Sequence, residues 1–351
     1  MEYPKFKVCC RCFTFNHSKY ITDAMNGFTM QQTSFPFVCT IVDDASTDGE
    51  QEVIRKYVEE NFDFSEGSVA YHKETDYAHI TYAQHKTNKN CYFAILYLKE
   101  NHYSKNKPKM GYLSEWQDMC EYEALCEGDD YWIVPDKLEK QVGYMDAHPN
   151  CGLTYSSFNT KDEAVGIIKE NLPQKKPTKY PMVYSSLEDF IISKGYVCPP
   201  SWVYRRKIWN TFIPIPGAQD GTFCMFCHFY ATSEVYWFKE VFAVYRLLKE
   251  SACHSQNPDK MHKRDRNILD TQIKLIEKYN LREELKQKCI ISYYHMALPF
   301  FIAHDYHKDI NDAKSYLVKL TTRDKILILG GHFLLFKIII QILYKIKKQF
   351  Y

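Results

Sequence analysis

A chain of 351 residues, 45% hydrophobic and 25% charged, is long enough for one large domain or two modest ones and ordinary in composition for a globular protein. Its 45 basic and 43 acidic residues leave a net charge of +2, so no global positive field exists to hold a nucleic-acid backbone, and nucleic acid is set aside as a partner. Thirteen cysteines are an odd number for a disulfide framework, and the start MEYPKFKVCC lacks the basic-then-apolar shape of a signal peptide, which together favour a reducing cytosol.

In chain order, KFKVCCRCF (5–13) reads as a strand, followed by a helix in which Ile21, Met25 and Phe28 fall at helical spacing. PFVCTIVDD (36–44) is a second apolar strand, and GEQEVIRKYVEENF a second helix with Ile54 and Val58 on one face. Strand and helix in alternation predict a parallel α/β sheet. A third strand is expected at AHITYAQ (78–84), and the lysine- and asparagine-rich stretch 99–111 as a surface excursion. EYEALCEGDDYW then supplies a strand ending in an acidic cluster, and Pro135 opens a helix carrying Leu138, Val142 and Met145. The pair Cys224 and Cys227 in FCMFCHF has no second CxxC to complete a metal site and reads as buried thiols. From about 256 to 322 the spacing is helical in NILDTQIKLIEKY and in LKQKCIISYYHMALPFF, with no convincing strand.

Two acidic clusters, Asp43 with Asp44 and Glu127 to Asp130, thus fall at the carboxyl ends of strands, the edge where open α/β sheets bind ligands. On a strand Glu127 and Asp129 would point the same way, and Gly128 between them would let a ligand approach the backbone. Clustered carboxylates suit a hard divalent cation, Mn²⁺ or Mg²⁺, that bridges to phosphates. Helix capping could account for one of the three acids, not for all of them. The spacing of a calcium loop is absent.

The ordered set FTFNHSKYITDAMNGFTMQQ, IVDDASTD, CEGDDYWIVPDKLEKQ, SWVYRR, AQDGTF and EVFAVYR resembles family 2 glycosyltransferases of the GT-A fold, in particular the bacterial subgroup with an EGDDYW acidic motif, over roughly the first 250 residues. The resemblance implies a GT-A catalytic domain over 1–255, followed by a helical region. It places Thr14, Phe15, Asn16, Asp43, Asp44 and Ser46 at the nucleotide, and Glu127, Asp129 and Asp130 at ribose, diphosphate and metal. It makes Asp220 the general base of an inverting transfer from a nucleotide-diphosphate sugar, with UDP the expected nucleotide. Asp220 also stands where it could cap a helix. The chain departs from the pattern at Phe15, where tyrosine is usual, at Pro199 and Pro200 on the acceptor side, and at Leu248, for which His254 is a candidate substitute. Glu121 and Glu123 replace apolar residues, which predicts a strand exposed on one side. Nucleotidyl transfer onto a sugar phosphate is the rival activity, but FTFNHSKY is not the glycine-rich basic loop a triphosphate needs. A catalytically silent sugar-nucleotide-binding module is the other alternative.

From Lys325 to Tyr351 there is no acidic residue. Lys337, Gln341, Lys345 and Lys348 draw a polar stripe on a helix otherwise rich in Ile and Leu. This pattern predicts a helix, 325–351, that lies on an anionic membrane with its lysines among the headgroups, after a helical appendage over 256–324. The expectation is a cytoplasmic protein held at the inner face of the cell membrane, acting on a glycan or lipid-linked acceptor in cell-surface polysaccharide synthesis.

Overall fold

In a computed structural model, which describes residues 3–170, 184, 186–248, 257–316, 319, 321–331 and 333–349, the apolar runs of the N-terminal half become the centre of one sheet. β1 (Val8–Thr14), β2 (Phe37–Asp43), β3 (Tyr71–Glu74), β4 (Ala78–Gln84), β5 (Cys91–Leu98) and β6 (Tyr122–Leu125) come first. β7 (Tyr131–Trp132), β8 (Cys151–Asp162), β9 (Ile167–Lys169), β10 (Val203–Arg205) and β11 (Glu234–Leu247) complete it. The spatial order is β3-β4-β5-β2-β1-β6-β10-β8-β11-β7, with β9 paired to β8. β5, β2, β1 and β6 run parallel, whereas β4, β3 and β10 join antiparallel. Every residue of β2 and β5 is buried, as expected of parallel strands covered on both faces.

The helices Ile21–Thr29 and Glu50–Asn61 turn Ile21, Met25, Phe28, Ile54 and Val58 inward, where they join Val8, Cys10 and Cys12 of β1 in one core layer. Cys9, alternate on β1, packs on the other face with Val38, Ile80 and Trp116. Trp132 is a core residue, edge-on to Phe28 at 5.0 Å and donating from Nε1 to the Pro200 carbonyl at 2.8 Å. All cysteines among the described residues are free and buried, Cys224 and Cys227 included.

β6 is not exposed on one side. Glu123 is fully buried and neutralised from two directions, by Arg11 Nε at 3.3 Å and by Arg206 at 3.1 Å, while Gln117 donates to it at 2.6 Å. Glu121, at the edge of the strand, is exposed and pairs with Lys7 and Arg205.

A second internal charge sits at the start of the helix Lys137–Ala147. Lys137 is fully buried, 4.3 Å from the Trp132 ring centroid, with the Trp202 carbonyl accepting from Nζ at 3.3 Å. Burial lowers its pKa from 10.5 to about 7. Between those values the folded chain binds fewer protons than the unfolded one, so stability rises with pH across that window. Thermal unfolding from pH 7 to 9 should show this rise in the native chain and lose most of it in Lys137→Met.

The chain divides into two compact units. The first is Met1–Val183, Tyr196–Ile213 and His228–Ser251; the second is Tyr184–Gly195, Pro214–Cys227 and Ala252–Tyr351. Segments 184–195 and 214–227 thus cluster with the C-terminal helices, as does the stretch after 325. The second unit contains the helices Leu187–Ile192, Pro258–Lys278, Glu284–Ala303, His307–Lys314, Thr322–Gly330 and Leu334–Gln349. Among the described residues no helix is long and apolar enough to cross a membrane.

Candidate active site

Register places the first site residues. Thr14 is paired with Asp43 where β1 and β2 end, and β6 stops opposite Arg11, so the chain after it climbs along the end of β1. Cys126 N–H donates to Arg11 O at 3.1 Å and Gly128 N–H to Phe13 O at 3.1 Å. Glu127 and Asp129 therefore lie in a turn between β6 and β7, not on a strand as expected from sequence. Gly128 has a different role too. A Cβ there would collide with Thr14 Oγ1 and Cβ, so the glycine accommodates a side chain of the protein itself.

The loops after β1 and β2 are tied by short bonds. Asn16, at φ 58°, donates its N–H to Ser46 Oγ at 2.9 Å and accepts from Thr47 N–H at 2.8 Å. Glu50 accepts from Thr14 Oγ1, from His17 N–H at 2.9 Å and from Ser46 Oγ at 2.8 Å. Sequence reasoning missed Glu50, because an acid in the first turn of a helix reads as a generic partner of its dipole. It also missed His17, whose Nε2 is 4.0 Å from Asp129 Oδ2.

The five acids of the two clusters differ in what they have left to offer. Asp43 is fully buried; its Oδ1 accepts from Ser46 N–H at 3.2 Å and Gln51 Nε2 at 2.5 Å, while Oδ2 has no partner among the described residues. Burial raises its pKa above the ordinary carboxylate value. Asp44 is committed to the loop that follows β5: it accepts from His102 N–H at 2.7 Å, Tyr103 N–H at 3.0 Å and Lys109 Nζ at 2.6 Å. Burial opposes its ionisation, yet Lys109 and the two N–H groups prevail and hold its pKa low. The stretch 99–111, read as a surface excursion, is thereby anchored to the site.

Glu127 Oε2 accepts from Phe13 N–H at 2.9 Å, and burial pushes its carboxyl up to about 7, against the pull of Arg11. Asp130 turns inward, accepting from Arg246 N–H at 2.8 Å, and burial beside Asp129 raises its pKa well above normal. Arg246 holds this turn. It donates to Asp129 O at 2.7 Å and to Glu163 at 2.6 Å, pairs with Asp23, and lies 4.4 Å from the Tyr131 ring centroid. Asp129, with its side chain 19% exposed, and Phe15, 41% exposed, are both open to solvent.

The fold has a counterpart among solved structures. S. aureus TarS 1-349, crystallised in complex with UDP-GlcNAc, superposes with a TM-score of 0.53 over 97% of this chain and 92% of its own, at 16% identity. The chain has the GT-A fold. A second TarS 1-349 crystal structure gives a TM-score of 0.50 at the same identity, over 93% of this chain and 80% of its own. In sequence, the chain is 27% identical over 255 residues to the uncharacterized protein Mb1547 of Mycobacterium bovis and to the uncharacterized protein Rv1520 of Mycobacterium tuberculosis. These matches cover 70% of this chain, which spans only 60% of the length of those relatives. No family model matches.

Within this GT-A sheet, Thr14, Asn16, Asp43, Ser46, Glu127 and Asp129 come together around the ends of β1, β2 and β6. Asp220 belongs to the second unit. It sits at φ 67° immediately before the helix Gly221–Thr232, and its Oδ1 accepts from Thr222 Oγ1 at 2.7 Å and Phe223 N–H at 3.1 Å, so it is a helix cap. His254 lies outside the described residues. Among the described residues no group of three or more His, Cys, Asp or Glu is arranged to hold a metal ion.

Proposed function

We propose that this chain is a family 2 glycosyltransferase of the EGDDYW subgroup, which moves a sugar, with inversion, from a UDP-linked donor to a hydroxyl of a glycan or lipid-linked saccharide in cell-surface polysaccharide synthesis. The observation that carries the reading is the buried Asp43 oxygen that has no donor among the described residues, on the same strand-end edge as the exposed ring of Phe15. Together they offer an acceptor and a stacking face to a nucleotide base. Asn16, Ser46 and Glu50 fix the loops that carry them, so the geometry is set before the donor arrives. The likeness in fold to TarS, solved with UDP-GlcNAc, makes a UDP-sugar the first donor to try.

Asp129 and His17 fit a cation that takes most of its ligands from diphosphate and water, because Glu127 and Asp130 each have one oxygen engaged by backbone N–H. Mn²⁺ or Mg²⁺ bound there would stabilise charge on the departing diphosphate. Asp129 would orient that ion, Arg246 would keep the turn in place, and Asp220 would serve as the general base that takes the proton of the attacking hydroxyl.

A thermal-shift panel of nucleotide sugars with and without Mn²⁺ tests the donor reading. One UDP-sugar should raise the melting temperature by a few degrees in the presence of metal, since ligand at 100 times its Kd stabilises by about 2.7 kcal/mol. No shift with any nucleotide sugar under either condition would remove the proposal.

A further inference from the structure

The C-terminal helix is built inside out for a protein surrounded by water. In Leu334–Gln349 the Lys337 ammonium pairs with Asp305, and Gln341 Nε2 donates to the Ala303 carbonyl at 3.0 Å. The sequence pattern placed this stripe among lipid headgroups; the ion pair and the amide bond instead turn Lys337 and Gln341 toward the helices of their own unit. The side chains of Lys345 and Lys348 lie outside the described residues. What faces solvent is Leu335, Ile338, Ile339, Ile342 and Leu343, each between 43% and 76% exposed. The preceding helix, Thr322–Gly330, also exposes Ile326 and Leu329. Contiguous aliphatic surface of this kind marks an interaction face.

We propose that this face docks on an anionic lipid surface, the helix lying in the plane of the interface with its Ile and Leu arc buried among acyl chains. Charge selects the occupant. After Asp324 the sequence carries no acid, and beside Lys337, which Asp305 neutralises, it carries Lys325, Lys345, Lys347 and Lys348. Pairing the face with a second copy would bring two such lysine-rich segments together, whereas anionic headgroups attract them. Length selects the mode, because a helix of 16 residues is about 24 Å long and falls short of a hydrocarbon core of about 30 Å. The inference does not depend on the donor chemistry proposed above.

The test is co-sedimentation of the full chain with phosphatidylcholine vesicles, with and without phosphatidylglycerol. Binding should be at least about tenfold stronger to the anionic vesicles. Ile338→Glu/Ile342→Glu, at surface positions, should lose at least about tenfold of that binding while melting as the native chain does. Lys347→Ser/Lys348→Ser should weaken anionic binding by about fivefold per lysine and leave the weak binding to neutral vesicles as it was. If the native chain stays in the supernatant with anionic vesicles, or if the glutamate variant sediments as well as the native chain, the proposal falls. It falls too if sedimentation velocity shows a dimer that the glutamate variant dissociates while neither protein binds vesicles; the face then serves self-association.

Discussion

Asp220→Asn should fold and bind donor as the native chain does, yet lose about 10²- to 10⁴-fold in transfer. Asparagine is chosen because both structural duties of Asp220 survive the change. Asparagine caps a helix about as well as aspartate, so the bonds from Thr222 and Phe223 to Oδ1 are kept, and it tolerates the left-handed backbone at φ 67°. What it cannot do is accept a proton from the acceptor hydroxyl. Initial rates of sugar transfer, set beside donor affinity from thermal shift, separate the two roles. Native turnover would take Asp220 out of the chemistry and leave it as a cap alone, whereas loss of donor affinity would show that it helps to bind the nucleotide sugar.

Arg246→Met should destabilise the first unit by about 3 kcal/mol, the lower end of what breaking a buried ion pair costs. The lower end applies because one partner, Asp23, is half exposed and Glu163 is 20% exposed, so water can recover part of the loss. The arginine itself is almost completely buried between Tyr20 and Tyr131. Methionine keeps much of that volume, which confines the effect to charge and hydrogen bonding. Donor affinity should fall along with stability, since Arg246 also holds the carbonyl of Asp129. Urea unfolding followed by far-UV circular dichroism would measure the first effect; an unchanged midpoint would mean that this network is ornamental.

Much of the first unit could be read from local pattern. The strand 78–84 has the bounds of β4, and the acids that end β2 and follow β6 do fall at the carboxyl edge of the parallel strands. β5, CYFAILYL, went unread, although it is a continuous apolar run buried on both faces just as β2 is. Other misses share one cause, which is partnership between residues distant in sequence. Glu123 sits comfortably inside because Arg11 and Arg206 meet it, and Lys337 turns inward because Asp305 waits there. Neither pairing leaves a trace in hydropathy. The same holds for Gly128, whose reason is the side chain of Thr14.

The buried thiols have a further consequence. Cys12, Cys39, Cys126 and Cys198 all lie in the interior, where burial lifts their pKa values well above normal, so hardly any thiolate is present while the fold is closed. Peroxide and alkylating agents thus find almost no thiolate to attack at these four positions in the finished molecule. The vulnerable period is biosynthesis, before the sheet assembles, when every sulfur on the emerging polypeptide can be oxidised or wrongly cross-linked.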